Sequence, residues 1–416
     1  MDKKTIDFTL AYYSGDRKTG SVTVVSRRDG QVQTKQLPVA AESGKDKELK
    51  PIFVGLTEAG QSITLDPETK AISISDEFIA DAFPAHIYTD PNANRDWYMY
   101  DGDKETGNDA LNCGGKGSSV TVVENTDSSA VKYLKTICVG RGHHQCNFSY
   151  PSEQAPQVPS QTYVSNLKDG TLSVIGNDPA KPDSYLQVVA TINLCEADKE
   201  DFDGAQIPNN AFPHGLVYSK VSGKMYNLNN GYGTIAVIDP LSHEIEQRIP
   251  FKGFSNLFVS PCGRYVIGRG ADRKSDPKHV IAKMAVLDVT TNEVLDKIDL
   301  PDVYISKYFF NTEGSKLYLT TSSSGSEQQQ ANLKSGVVVV LDLTKLPKLV
   351  FTTELSLDSP AGTLDFLALD GKTELVFAST SQEGVVTIIS ADTDQVIEKL
   401  AVIEPQSHSR LWLLSR

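Results

Sequence analysis

The segment Lys224-Met-Tyr-Asn-Leu-Asn-Asn-Gly-Tyr-Gly-Thr-Ile-Ala-Val-Ile-Asp239 contains two short β patterns. Asn229-Asn230-Gly231 lies between the two patterns and is a typical turn sequence. An apolar stretch from His214 to Ser219 precedes the segment, and a fourth strand-like stretch follows it, from Glu244 to Phe251. Four short antiparallel strands joined by turns predict one blade of a β-propeller.

The β-branched run that ends this segment is repeated along the chain, and turn-punctuated β patterns recur at ~40–50 residues, the spacing of propeller blades. Such runs are expected in strands that neighbouring blades cover on both faces. Seven copies predict an all-β chain folded as a seven-bladed β-propeller. The copies are Gly20–Val25, Ser119–Val123, Gly170–Gly176, Gly233–Asp239, Lys283–Asp288, Gly336–Asp342 and Gly384–Ile389.

The two ends of the chain predict how the ring closes. Ser409–Leu414 is predicted to form one C-terminal strand. By comparison with the repeat, the first N-terminal strand, Phe8–Tyr12, corresponds to the second strand of a blade. One C-terminal strand joining three N-terminal strands would complete a blade and remove the exposed sheet edges. Residues 39–83 fit no regular blade and are interpreted as an insertion between blades 1 and 2. We expect residues 1–416 to form one propeller domain.

Bulk composition excludes some classes of partner. The 416 residues include 40 basic and 53 acidic side chains, for a net charge of −13, which argues against a nucleic-acid partner. No apolar run approaches the length needed to span a bilayer. The sequence also lacks the Gly-x-Ser-x-Gly elbow, the phosphate-binding loop, the dinucleotide fingerprint and the Cys-x-x-Cys-His haem attachment site.

Five of the seven histidines stand where the first strand of a blade is predicted to begin. In the predicted ring these blades are adjacent and their first strands line a central channel, so the imidazoles would converge at its mouth. Blades 5 to 7 would offer Ser255-Asn256, Ser306-Lys307 and Thr363–Asp365 instead, whereas His243 and His279 fall in outer loops. Imidazole clusters suit copper, zinc, iron and nickel. The predicted metal ligands are His86, His143, His144, His214 and His408.

Two further groups are candidate ligands. Cys146 lies two residues beyond His144, and a thiolate there would favour copper. Asp101, Asp103 and Asp109 lie in an acidic loop that resembles a calcium loop but departs from the EF-hand spacing, so a solvated turn is the alternative.

The five cysteines permit one or two disulfides. The pairings considered are Cys113–Cys195 and Cys138–Cys146, and Cys262 is expected to be structural or free.

Two resemblances extend this interpretation. Met225–Asn230 followed by Gly233–Pro240 resembles the YVTN-type repeats of secreted and periplasmic bacterial propellers. Gly142-His143-His144, followed by a strand and Thr162–Val174, is similar to a blade opening in the copper propellers of nitrous oxide reductase and thiocyanate dehydrogenase, and the haem propeller of cytochrome-type nitrite reductases is a further relative. By position, His143, His144 and His214 match the copper-enzyme histidines, and His86 and His408 match more loosely.

The resemblance implies a periplasmic or secreted protein, with a leader that is not part of this sequence. It implies copper and either a small inorganic substrate or a redox partner protein. Nitrous oxide reductase has more ligands and a cupredoxin domain that this chain lacks, which favours a single copper ion over a multinuclear cluster.

The sequence therefore predicts a periplasmic metal-binding propeller that holds copper for redox chemistry or metal handling. Whether it is an enzyme stays open: a copper-dependent oxidoreductase is the enzymatic interpretation, with no catalytic residue assigned. A noncovalent haem with one axial histidine is the first alternative. A scaffold without chemistry, whose insertions bind a partner protein, is the second.

Overall fold

The computed structural model describes residues 3–14, 21–39, 52–57, 61–66, 69–77, 86–100, 113, 118–127, 130–142, 145–380, 384–402 and 409–415. These residues form eight antiparallel sheets, seven with four strands and one with three. Their 3-10 turns cover Lys3–Thr5, Ala197–Lys199 and Leu343–Lys345, and an α-helix covers Glu327–Gln330. None of the helices in this part of the chain has the length and apolar character to cross a membrane.

The strands are numbered in chain order. They are β1 (Phe8–Ser14), β2 (Ser21–Arg28), β3 (Gln31–Leu37), β4 (Ile52–Leu56), β5 (Ser62–Leu65), β6 (Ile72–Ser75), β7 (His86–Thr89), β8 (Arg95–Tyr100), β9 (Ser119–Asp127), β10 (Ala130–Cys138), β11 (Cys146–Ser149), β12 (Gln161–Asn166), β13 (Thr171–Gly176), β14 (Val188–Asn193), β15 (Pro213–Ser219), β16 (Lys224–Asn229), β17 (Thr234–Ile238), β18 (Ile245–Pro250), β19 (Asn256–Val259), β20 (Tyr265–Asp272), β21 (Ile281–Asp288), β22 (Glu293–Pro301), β23 (Ile305–Phe310), β24 (Lys316–Thr321), β25 (Val337–Asp342), β26 (Val350–Ser356), β27 (Ala361–Leu369), β28 (Lys372–Thr380), β29 (Val385–Ser390), β30 (Gln395–Ala401) and β31 (Ser409–Ser415).

Each sheet is one blade of a propeller. From the inner strand outwards, blade 1 is β31-β1-β2-β3, blade 2 is β4-β5-β6 and blade 3 is β7-β8-β9-β10. Blades 4 to 8 follow as β11–β14, β15–β18, β19–β22, β23–β26 and β27–β30. The first strand is innermost, since β11 contacts β15, β15 contacts β19, β23 contacts β27 and β27 contacts β31.

Apolar clusters between neighbouring blades close the ring. The described residues form eight such clusters, one for each pair of neighbouring sheets. Blade 2 is covered on both sides: Phe53 packs with Ala11 of blade 1, and Val54 packs with Tyr98 of blade 3. The prediction of seven blades is therefore wrong, because residues 52–75 form a further blade.

The additional blade lies within residues 39–83, where the sequence shows no copy of the repeat. The burial of its strands explains why. The repeat is defined by its third strand, which in the other blades is buried and flanked by a fourth strand, as Thr234–Ile238 is. In blade 2 the third strand, Ile72–Ser75, is outermost among the described strands, and Ile72 and Ile74 are 40% and 51% exposed. Since neighbouring blades do not cover this strand, it lacks the β-branched run.

The predicted closure of the ring by the C-terminal strand is confirmed. Strand β31 pairs antiparallel with β1, with Trp412 opposite Ala11, and completes a sheet whose other three strands are N-terminal. This pairing removes the free edge that β1 would otherwise expose.

The inner strands all begin at one end of the ring, which we name the mouth. Because neighbouring strands are antiparallel, the connections between second and third strands also lie at this end. Two of these connections are joined by the buried Gln329, whose amide donates hydrogen bonds to the carbonyl oxygens of Arg273, Asp276 and His279 at 3.0–3.2 Å. The mouth face of blades 6 and 7 is thereby fixed.

Candidate functional site

Two of the predicted ligands begin inner strands in the described part of the chain. His86 is the first residue of β7 in blade 3, and His214 is the second residue of β15 in blade 5. His143 and His144 come just before β11 of blade 4 but lie outside the described residues, as do His408, Asp101, Asp103 and Asp109. The calcium loop and these ligands therefore stay predictions.

The eighth blade changes the spacing of the predicted ligands. His408 precedes β31 of blade 1, and blade 2 lies between that blade and blade 3, which begins at His86. Of the described ligands, His86 begins blade 3 and His214 begins blade 5, whereas His408 precedes blade 1 along the chain.

The imidazole of His214 is oriented by the neighbouring blade. Its Nδ1 lies 3.0 Å from the carbonyl oxygen of Ser255, directly before β19. Strands β15 and β19 approach closely here, since a Cβ on Gly215 would lie 2.9 Å from the backbone nitrogen of Leu257. A carbonyl oxygen can only accept, so Nδ1 carries the proton, and the lone pair of the neutral ring is on Nε2. This is the tautomer that a metal-binding histidine adopts when its other nitrogen donates to a carbonyl.

Gln145 connects the segment that carries the histidine pair to the same place. Its side-chain amide donates to Asn256 Oδ1 at 3.3 Å, although Gln145 enters blade 4 and Asn256 begins the inner strand of blade 6. The backbone of Gln145 is held by Ser165, which accepts from its N–H at 2.8 Å and donates to its carbonyl oxygen at 2.8 Å. Residue 145 thus reaches the neighbourhood of His214 and Ser255.

Cys146 has a different environment from that of a metal ligand. Its side chain is buried between blades 3 and 4, where it packs with Trp97, Phe148 and Val164. Burial raises the pKa of the Cys146 thiol well above its usual value, and Asp90 adds to this increase. Because the thiolate is the metal-binding form, a neutral thiol in this position favours packing over ligation.

The disulfide joins Cys113 to Cys138, so both pairings considered from the sequence, Cys113–Cys195 and Cys138–Cys146, are wrong. Cys138 ends β10 and pairs with Ser119, the first residue of β9. Cys113 precedes Ser119 by only six residues, which is consistent with its bond to Cys138. The Cα atoms are 5.6 Å apart. Cys146 and Cys195 are free and buried, and Cys262 is free and exposed.

The polar residues predicted for the three blades without histidines have different roles. Thr363 and Asp365 of blade 8 accept hydrogen bonds from the backbone N–H groups of Leu411 and Leu413 in blade 1, at 2.7 and 2.6 Å. These side chains therefore connect blade 8 to blade 1. Lys307 is exposed and donates to the carbonyl oxygen of Gly362 at 2.7 Å.

Sequence reasoning missed Arg269, the most unusual charged group near the mouth. It lies on β20 opposite Asn256, and its Nη1 donates to the carbonyl oxygen of Ile305 at 3.0 Å. Within the part of the chain that the structure describes, no carboxylate lies within 4.0 Å of its guanidinium. The available signal was an arginine inside the otherwise apolar run Tyr265–Gly270.

The two histidines assigned to outer loops have partners. His243 Nε2 contacts the side-chain amide of Gln161 at 3.0 Å, and burial lowers the pKa of His243. His279 Nδ1 lies 2.7 Å from Asp302, whose hydrogen bond raises the pKa of His279. In the described ranges, no group of three or more His, Cys, Asp or Glu side chains is arranged to hold a metal ion.

Comparison with known proteins supports the fold alone. No family model matches the sequence, and no curated protein is similar to it. Among solved structures, dihydro-heme d1 dehydrogenase NirN in complex with DHE has a TM-score of 0.52 at 14% identity, covering 88% of this chain and 66% of its own. Hydrazine synthase of Kuenenia stuttgartiensis has a TM-score of 0.50 at 15% identity, covering 77% of this chain and 86% of its own. Apo AztD from Citrobacter koseri has a TM-score of 0.52 at 11% identity, covering 99% of both chains.

Proposed function

We propose that this protein is a metal-binding β-propeller that holds one first-row transition-metal ion at its mouth. The ligands would be imidazoles of His86, His143, His144 and His214, from the starts of three consecutive blades. The observation that carries the proposal is the hydrogen bond from His214 Nδ1 to the Ser255 carbonyl oxygen, which sets the tautomer so that Nε2 would be the metal-binding nitrogen. The hydrogen bond from the Gln145 side chain to Asn256 also supports the proposal. Gln145 directly follows His144 in the sequence, and Asn256 directly follows Ser255, the partner of His214.

The donor set defines the class of metal. Neutral imidazoles suit Cu²⁺ and Zn²⁺, and Cu²⁺ is expected to bind more tightly by the general order of divalent affinities. Thiolate would favour Cu⁺, but Cys146 is buried as a neutral thiol. We therefore favour handling of a divalent ion over cycling between copper oxidation states.

An oxidising compartment, periplasmic or extracellular, is part of the proposal. The Cys113–Cys138 disulfide supports it, because disulfides persist mainly outside reducing cytosols.

Titration calorimetry of EDTA-treated full-length protein with Cu²⁺ or Zn²⁺ tests the proposal. We expect one ion per chain, and His214→Ala should weaken binding by at least about 10- to 100-fold, the loss seen when even an outer-shell partner is removed. The double variant His143→Ala/His144→Ala should lose as much. His279→Gln is the matched control, since this mouth-side histidine is paired with Asp302 and should bind metal as wild type does.

Two results would overturn the proposal. The first is the absence of stoichiometric binding of either ion to the wild-type protein. The second is equal affinity in the wild-type protein and the His214→Ala variant. A Soret band on titration with haemin, lost in His214→Ala, would assign the histidines to a tetrapyrrole instead.

A further inference from the structure

Blade 2 ends in an outer strand that differs from those of the other blades. Among the described residues it has three strands, whereas each of the other seven sheets has four. Its outermost strand is therefore β6, and residues 69–74 are all exposed. Ile72 and Ile74 are 40% and 51% exposed. The edge of this sheet thus presents apolar side chains to solvent.

The backbone of this edge is available for pairing. The N–H of Asp66 donates to the carbonyl oxygen of Ala71 at 2.9 Å, so the backbone of Ala71 faces β5. Because antiparallel pairing alternates along a strand, Ser73 faces β5 as well, and the N–H and carbonyl groups of Ile72 and Ile74 point outwards. Strand β6 pairs with β5 alone among the described strands, so these outward groups have no partner in the sheet.

The features that protect other outer strands from pairing are not found in β6. The fourth strands of blades 3 to 8 each show a register shift against the third strand, which indicates a β-bulge. The outer strand of blade 1 has no such shift but carries the charged Lys35. Strand β6 pairs with β5 in regular register and consists of isoleucine and serine only. Since bulges and charges prevent edge-to-edge association, β6 is the described outer strand best suited to add a partner strand.

The sequence of this edge is complementary to a second copy of itself. In an antiparallel pair of two β6 strands with a two-fold axis at Ser73, Ile72 of each copy lies opposite Ile74 of the other. The outward N–H and carbonyl groups of these residues then pair across the axis. The same register places Lys70 opposite Asp76 of the other copy. Opposite charges therefore meet at both ends of the paired strands.

Both charged side chains are accessible to a second copy. Lys70 and Asp76 are exposed. The ammonium group of Lys70 lies 5.3 Å from the ring centroid of Tyr133, and Asp76 accepts a hydrogen bond from the side-chain amide of Gln61 at 3.2 Å. Neither contact is an ion pair within the described part of the chain, so each charge can pair with its opposite across the axis.

We propose that two copies of this chain associate through β6, which joins blade 2 of each copy into one continuous antiparallel sheet. Each edge is satisfied by the other in a two-fold arrangement, so association ends at a dimer. A strand edge alone is small compared with the roughly 1,200–2,000 Å² that stable interfaces bury, so the dimer dissociates on dilution. This surface is the outer edge of blade 2 and does not depend on the proposed histidine site.

Sedimentation velocity of the full-length protein at low ionic strength tests the charge pairing. We expect a monomer–dimer equilibrium for the wild-type protein. Lys70→Glu and Asp76→Lys should each weaken the dimer by about 10-fold, because like charges then face each other at both ends. An equimolar mixture of the two variants should recover wild-type affinity, because the mixed dimer has opposite charges at both ends. Lys35→Glu is the matched control, since it makes the same charge change on the outer strand of blade 1 and should dimerise as wild type does.

Cysteine crosslinking tests the register of the paired strands. Ser73 faces its own copy across the axis at a position without backbone hydrogen bonds, where the Cα atoms of antiparallel strands are about 4.5 Å apart. Mild oxidation should therefore link two Ser73→Cys chains through a disulfide. The exposed Cys262 is replaced by serine in every variant. Thr34→Cys, at an exposed position of the outer strand of blade 1, is the control and should remain unlinked.

Three results would overturn the proposal. The first is a wild-type protein that stays monomeric up to about 1 mM. The second is a dimer whose affinity neither charge variant changes. The third is crosslinking of Thr34→Cys as fast as that of Ser73→Cys. Both experiments are carried out without added metal, so failure of the histidine site does not affect them.

Discussion

The carboxylate of Asp365 accepts a hydrogen bond from the backbone N–H of Leu413, 2.6 Å away, across the seam where the C-terminal strand closes the ring. Its other oxygen accepts from the N–H of Phe366 at 2.8 Å. Burial raises the pKa of Asp365, and these two N–H groups act in the opposite direction. One side chain thus satisfies backbone groups of both blades that form the seam.

Replacing Asp365 by alanine should destabilise the closed ring. The substitution leaves two backbone N–H groups without acceptors, and each buried unsatisfied group costs about 1–3 kcal/mol. Chemical denaturation should therefore give a lower free energy of unfolding. Glu354→Ala, which removes an exposed ion pair with Lys334, is the control and should change the free energy by at most about 1 kcal/mol. Equal effects of the two substitutions would contradict a role for Asp365 at the seam.

The role of residues 52–75 as a blade can be tested within that sheet. Phe53 is 4% exposed between blades 1 and 2, so Phe53→Ala should lower the free energy of unfolding by about 3–5 kcal/mol. Ile74 is 51% exposed on the outer strand, and Ile74→Ala should change it by about 0.5 kcal/mol or less. If Phe53→Ala were as mild as Ile74→Ala, this sheet would not contribute to the ring.

His243 and His279 should titrate on opposite sides of the ordinary histidine pKa of 6.5. Burial lowers the pKa of His243, so the stability that it contributes is lost as pH falls below about 6.5, where the unfolded chain takes up the proton first. Asp302 raises the pKa of His279, so its contribution is present below about 6.5 and is lost as pH rises through the folded-state pKa. NMR titration of the two imidazoles measures both pKa values, with His243→Gln and His279→Gln providing the assignments. The same order of pKa values in the unfolded protein would show that the fold does not cause the difference.

Thiol labelling should distinguish the five cysteines. In the native protein the exposed Cys262 should react first, because Cys146 and Cys195 are buried. Unfolding without reductant should expose three thiols in all, and reduction should release two more from the Cys113–Cys138 disulfide. Mass spectrometry after alkylation counts them at each step. Five reactive thiols in unfolded, unreduced protein would exclude the disulfide.

The sequence determined the class of fold because its evidence is local. Turn residues such as Asn229-Asn230-Gly231 and β-branched runs such as Thr234–Asp239 reflect strand geometry and burial within one blade. The pairing of Ser409–Ser415 with the N-terminal strands could also be predicted, since an incomplete blade at each end has one solution that removes both edges. Blade 2 cannot be predicted from this pattern, because its outer strand, Ile72–Ser75, is exposed and carries no such run.

The surroundings of each side chain were decided by the tertiary structure. The sequence placed His86 and His214 at the starts of inner strands, and the structure confirms those two positions. That Cys146 is buried as a neutral thiol, and that no carboxylate of the described residues lies within 4.0 Å of Arg269, could not be predicted. Both properties depend on distances to groups on neighbouring blades that are far away along the chain, and a one-dimensional pattern contains no such distances.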